Sequence, residues 1–95
     1  MGVIFSESAT SEVRHAAGYY EAEVEGLGKA FLTYVENSVE EIERFPLASR
    51  VIGRDFRRFL VPRFPYAIIY RVESDQIFVA AVMHLKRKPF YWDEL

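Results

Sequence analysis

Residues 57–72 read Arg-Arg-Phe-Leu-Val-Pro-Arg-Phe-Pro-Tyr-Ala-Ile-Ile-Tyr-Arg-Val, two short alternating runs joined across a proline-bracketed turn. Arg57, Arg58, Arg63 and Arg71 are the residues here that can do chemistry. A guanidinium is planar, permanently charged and suited to bidentate capture of carboxylate or phosphate. These arginines are therefore expected to form an anion-binding surface, with partner binding favoured over catalysis. The competing explanation is edge charge that keeps an exposed strand from pairing with another chain. A second constellation, His84 with Lys86, Arg87 and Lys88, comes after an apolar run, where side chains emerge at the rim of a sheet. Histidine can exchange protons, and neighbouring cations can hold a phosphodiester. A lone histidine at a strand end is more often structural.

The remaining candidates carry less. His15 lies among glutamates on the first helix and reads as a solvent-facing bystander. With two histidines and no cysteine, neither a metal site nor a cofactor is expected. Tyr20 and Tyr70 read as core residues, whereas Trp92, near the end, must cap the core or meet a partner. Gly26-x-Gly28 is too short for a phosphate loop, and no catalytic triad can be assembled.

The charge is distributed unevenly. Residues 1–49 hold nine acids against three bases, and residues 50–95 hold nine bases against five acids, so halves of −6 and +4 lie within a net charge of −2. That describes a dipolar molecule with one basic face. Ninety-five residues, about half hydrophobic, suffice for a single domain spanning 1–95 without disulfide staples. No apolar run approaches the roughly 20 residues of a membrane helix, and no secretory pattern opens the chain. A cytoplasmic protein without a membrane association is expected.

These residues must be positioned by a helical half and a strand-forming half. Val3-Ile4-Phe5 reads as an edge strand, and Ser6 or Ser8 as the cap of a helix whose first turns place Glu7 and Glu12 near its positive end. Val13, Ala16, Ala17, Tyr20 and Val24 form one apolar stripe; Leu27, Phe31, Val35, Val39, Ile42 and Phe45 form a second, ended by Pro46. The short break at 26–28 predicts an antiparallel helical hairpin over about 8–45. A loop is expected at 46–55, then strands over 56–61, 66–72 and 76–83, the last covered on both faces or central to its sheet. Pro89 stops that strand, and 90–95 forms a short aromatic tail. The order β-α-α-β-β-β predicts an α+β fold, a helical hairpin packed on a mainly antiparallel sheet. Val13, Tyr20, Phe31, Val35, Ile42, Ile68, Tyr70 and Val79 should be buried.

The ordered set of cues resembles the RelE/ParE superfamily of toxins from type II toxin–antitoxin modules. The cues are Ala16-Ala17-Gly18-Tyr19-Tyr20-Glu21, Gly26-Leu27-Gly28-x-x-Phe31-Leu32, Phe45-Pro46, Arg57-Arg58-Phe59-Leu60-Val61, Phe64-Pro65-Tyr66 through Val72, and His84-x-x-Arg87-x-Pro89. They span almost the whole chain. The Phe64-Pro65-Tyr66 form is similar to the ParE-like, plasmid-stabilisation branch, whose characterised members inhibit DNA gyrase. Such a toxin would bind gyrase through His84, Lys86, Arg87, Lys88 and Trp92 without bond chemistry. It would be neutralised by a cognate antitoxin, whose acidic segment would meet Arg57, Arg58 and Arg71. The RelE-like branch instead cleaves messenger RNA on the ribosome, and commonly carries an arginine three residues before the tyrosine corresponding to Tyr70. Here that position is Ala67. A nuclease would have to rely on Arg58, Arg63, His84 and Arg87. A degenerate toxin that only binds its antitoxin is the third reading.

Overall fold

The computed structural model describes residues 1–87 and Tyr91. The roles expected of Lys88, Pro89 and Trp92, and the aromatic tail apart from Tyr91, lie outside the described residues. Strand β1 (Gly2–Phe5) runs into helix α1 (Glu7–Glu23), which turns into helix α2 (Leu27–Arg44). Strands β2 (Arg50–Ile52), β3 (Phe56–Leu60), β4 (Tyr66–Val72) and β5 (Gln76–His84) complete one five-stranded sheet in the order β1-β5-β4-β3-β2. β1 is an edge strand parallel to β5, and every other pairing is antiparallel. The α+β hairpin-on-sheet architecture is the one the periodicity predicts, with one added strand. The expected loop at 46–55 contains β2. Three residues are too few to show alternation, and Gly53 and Arg54, at φ 46° and 51°, supply the left-handed backbone that folds β2 onto β3.

Local chemistry sets each helix boundary. Ser6 is the N-cap of α1, its Oγ accepting from the Ala9 N–H at 3.0 Å. Gly26, at φ 86°, turns the chain into α2 and brings no capping side chain. Glu21 supplies the cap from the preceding helix, accepting from the Gly26 and Gly28 amides at 2.8 and 3.0 Å. Those bonds, the one from Gly26 foremost, hold its carboxyl below the usual glutamate range. At Gly28 the helices come so close that an added Cβ would lie 2.4 Å from the Ala17 carbonyl oxygen.

The main core lies between the hairpin and one face of the sheet, where Phe31, Val35 and Ile42 of α2 pack with Ile68, Tyr70, Val79 and Val82. The Tyr70 hydroxyl donates to the Pro46 carbonyl at 2.9 Å, so a wholly buried tyrosine is satisfied while it holds the loop after α2. Of the eight residues expected inside, Val13 and Tyr20 are only half-buried. Val13 borders an open apolar groove with Phe5 and Leu32, and Tyr20 packs at the rim among Phe31, Phe64 and Tyr66. The opposite sheet face carries a smaller cluster of Phe56, Ala67, Ile69, Ala80, Ala81 and Met83, with Tyr91 against it.

Two glycines of the hairpin give opposite expectations. Gly28→Ala should destabilise by about 1–3 kcal/mol, because the new methyl meets backbone that cannot yield. Gly18→Ala, with nothing within 4 Å of its added Cβ, should stabilise by about 0.5–1 kcal/mol through helix propensity. Urea midpoints at unchanged slope measure both.

Candidate functional site

β5 outruns its neighbour. Pairing with β1 ends at Phe5↔Val79, where the chain leaves the sheet to enter α1. Side chains and one further amide continue the edge. The Ser6 N–H donates to the Val79 carbonyl at 2.9 Å, and Ser6 Oγ donates to the Ala80 carbonyl at 2.8 Å. Glu12 Oε1, from the second turn of α1, accepts from the Val82 N–H at 3.0 Å. Val82 is fully buried, and leaving such an amide unpaired would cost about 1–3 kcal/mol.

A bulge sets the phase of the strand end. Ile69 pairs with Ala81 but Tyr70 pairs with Val79, so Ala80 is the extra residue in β5. Before it, Ile77 and Val79 face the helices; after it, Val82 does, and His84 comes next on the same face. Without the bulge, alternation would send His84 to the opposite side. Its ring instead stands edge-on to Tyr66 at 5.2 Å, and its Nδ1 accepts from the Lys86 N–H at 3.1 Å. The Arg87 N–H donates to the His84 carbonyl and the Leu85 N–H to that of Pro65, so the basic turn is fixed to the start of β4.

Glu12 also fastens the chain beyond β5. Its Oε2 accepts from the Tyr91 hydroxyl and lies 3.6 Å from Arg87 Nη1, while the Arg87 guanidinium covers the Tyr91 ring at 3.9 Å. Burial, and then the bond to Glu12, raise the Tyr91 hydroxyl above the usual tyrosine range, against the opposing pull of Arg87. The result is a cleft of about 230 Å³ bordered by Glu12, His15, Tyr19, Tyr66, His84 and Arg87. His15, expected as a bystander, is part of this wall. Glu12, expected only to meet the helix dipole, is its fastening. The available signal was spacing: Glu12 stands on the stripe of Ala9 and Ala16, both buried, where an acid needs a partner.

The arginines fall into different environments. Arg57 faces the helix side and donates from Nη1 to the Leu47 and Ser49 carbonyls at 3.1 and 2.8 Å. Arg71, on the other face, lies over Phe56 and Phe78 and bonds Glu73 at 2.9 Å. Gln76 also donates to Glu73; that bond and then Arg71 hold its carboxyl below the usual range. Arg58 is exposed on the same face as Arg71 and stands directly opposite Arg50 of β2, which was read only as part of the charge count. Neither forms an ion pair among the described residues. Arg63 occupies the β3–β4 turn at φ 67°, its guanidinium over Tyr34. The cleft that brings His84 and Arg87 together is bordered by neither Arg58 nor Arg63. Ala67 is fully buried between Leu60 and Met83, in the small apolar cluster. Among the described residues, no cluster of three or more His, Asp or Glu is placed to hold a metal ion.

The Tyr91 bond gives the fold an alkaline signature. Because its pKa is raised on folding, the stabilisation is complete below the unfolded tyrosine value of about 10 and is lost as pH rises beyond it. Urea titrations between pH 8 and 11 should show a decline that Tyr91→Phe reduces. An identical decline in the variant would remove Tyr91 as its source.

A family model described as the ParE toxin of the type II toxin–antitoxin system parDE matches residues 3–89. Among solved structures, the chain is similar to one described as the chromosomal ParDE system of P. aeruginosa, with a TM-score of 0.67 and 16% identity over 88% of this chain and 95% of that one. At that identity the likeness establishes the fold. No curated protein sequence matches significantly. With nearly its whole length matched by the family model and its fold shared with a ParDE structure, the chain belongs to the ParE toxin family of type II toxin–antitoxin systems.

Proposed function

We propose that this ParE-family chain acts in the cytoplasm by binding DNA gyrase without breaking a covalent bond, and that a cognate antitoxin neutralises it. The observation that carries the proposal is the basic turn of half-buried His84 and exposed Lys86 and Arg87, held by its own backbone bonds and by Glu12. A protein-binding surface needs charge held in one shape, and this turn supplies it. No described helix is long and apolar enough to cross a membrane.

RNA cleavage is the less favoured mechanism. It would need preorganised cations around a phosphate, and losing one such group typically slows the reaction about 100-fold or more. Ala67 sits inside an apolar cluster, so position 67 supplies no cation. Purified protein should inhibit gyrase supercoiling and leave ribosome-bound messenger RNA intact. The His84→Ala/Lys86→Ala variant should inhibit at least tenfold more weakly. Codon-positioned cleavage by the wild type, lost in His84→Ala, would replace this mechanism with the nuclease one.

The similarity to a ParDE structure supports an antitoxin as partner. An acidic segment of that partner would meet Arg58 together with Arg50, and secondarily Arg71, on the sheet face away from the helices. Like charges directly opposite on paired strands are unfavourable alone and are relieved by a bound carboxylate. Arg57 is committed to loop carbonyls and contributes through the loop it holds. Arg50→Ala/Arg58→Ala should weaken the antitoxin complex by more than the roughly 1 kcal/mol of an exposed ion pair, without loss of toxin stability. Calorimetric titration checks this, and unchanged affinity would remove the two arginines from the interface.

A further inference from the structure

The two histidines of the chain border the same cleft, and their backbone bonds fix opposite neutral tautomers. His15 Nδ1 lies 2.8 Å from the Ser11 carbonyl oxygen, which can only accept, so Nδ1 carries the proton and Nε2 is left as a lone-pair acceptor. His84 Nδ1 accepts from the Lys86 N–H, so its proton is on Nε2, which is left as a donor. With each Nδ1 committed, the cleft offers a ligand one imidazole acceptor and one imidazole donor. The Arg87 guanidinium and the rings of Tyr19 and Tyr66 complete the wall.

We propose that this cleft binds a nucleoside monophosphate, or the same unit at the end of a single strand. A phosphate oxygen would accept from His84 Nε2–H and from Arg87, and a ribose hydroxyl would donate to His15 Nε2. The base would stack on Tyr19, which is 63% exposed, as bases stack on aromatic platforms in single-strand binding sites. Glu12 is the one acid bordering the cleft, and it is already occupied by the Val82 amide, Tyr91 and Arg87. Inorganic phosphate cannot stack on the tyrosine rings, and an uncharged nucleoside cannot form the charge-assisted bonds to Arg87. The site shares His84 and Arg87 with the turn assigned to gyrase, but direct nucleotide titration reads its occupancy whatever the toxin's target.

The test is a titration of the full-length protein with AMP, inorganic phosphate, adenosine and a 5′-phosphorylated trinucleotide, monitored by long-range ¹H–¹⁵N spectra of the imidazoles. The free protein should show Nδ1–H at His15 and Nε2–H at His84. AMP should shift both rings saturably with half-saturation at about 1 mM or below, a weak but specific affinity. It should bind at least tenfold more tightly than phosphate or adenosine. A trinucleotide tighter than AMP assigns a strand end as the ligand; one equal to or weaker than AMP assigns the free nucleotide. Tyr19→Ala, a change at an exposed side chain, should weaken AMP and leave phosphate unchanged. Both histidines in the same tautomer, no saturable shift, or equal affinity for AMP and phosphate would overturn the proposal.

Discussion

The bond from the Val82 amide to Glu12 is the interaction on which the basic end of the sheet depends. β1 is too short to accompany β5 to its end, and a buried amide beyond the last backbone partner must find another acceptor. An acid on α1 meets that need, with Ser6 serving the two carbonyls before it. The carboxylate's second oxygen then becomes the anchor for Tyr91 and the neighbour of Arg87. One side chain therefore joins the first helix, β5 and the chain beyond it. The basic turn is held by that junction together with the backbone bond from Leu85 to Pro65.

The bulge at Ala80 adds the second constraint. It changes the phase of β5 so that Val82 faces the helices, and it brings His84 against Tyr66 and to the edge of the cleft that α1 also borders. Six of the second half's basic residues thereby fall on two separate surfaces. His84, Lys86 and Arg87 gather at the strand end, near His15 and Tyr19, while Arg50, Arg58 and Arg71 lie on the sheet face away from the hairpin. Two separate basic surfaces are what the proposed function requires, one for the target and one for a neutralising partner.

Much of the fold was legible because its elements are long and strongly periodic. The stripe from Leu27 to Ile42 and the alternation from Tyr66 to Val72 each have one physical solution and occur as read, whereas Phe45, read as the last residue of the helical stripe, caps the helix and is exposed. β2 was not legible, because three residues reveal no period and the turn that creates it rests partly on a non-glycine residue, Arg54, at positive φ. The Ala80 bulge was hidden inside an apolar run that packs on both faces and so shows no phase. At the site, the basic residues at 84–87 were visible as composition. Their fastening was not, since the Glu12 pairing spans 70 residues. The arginines were legible as a set but not as separate roles: sequence cannot distinguish Arg57, spent on loop carbonyls, from Arg58, free of ion pairs among the described residues.

The most direct test of this account is native-state hydrogen exchange at the Val82 amide. In the wild type it should exchange as slowly as the amides of β5 that have strand partners, although β1 has ended three residues earlier. Glu12→Ala should lower its protection about tenfold or more, the equivalent of about 1.4 kcal/mol, with little change at Ile77. Glu12→Gln, which keeps the carbonyl acceptor, should retain most of it. Unchanged Val82 protection in Glu12→Ala would contradict the account, because the strand end would then be held by something other than this bond.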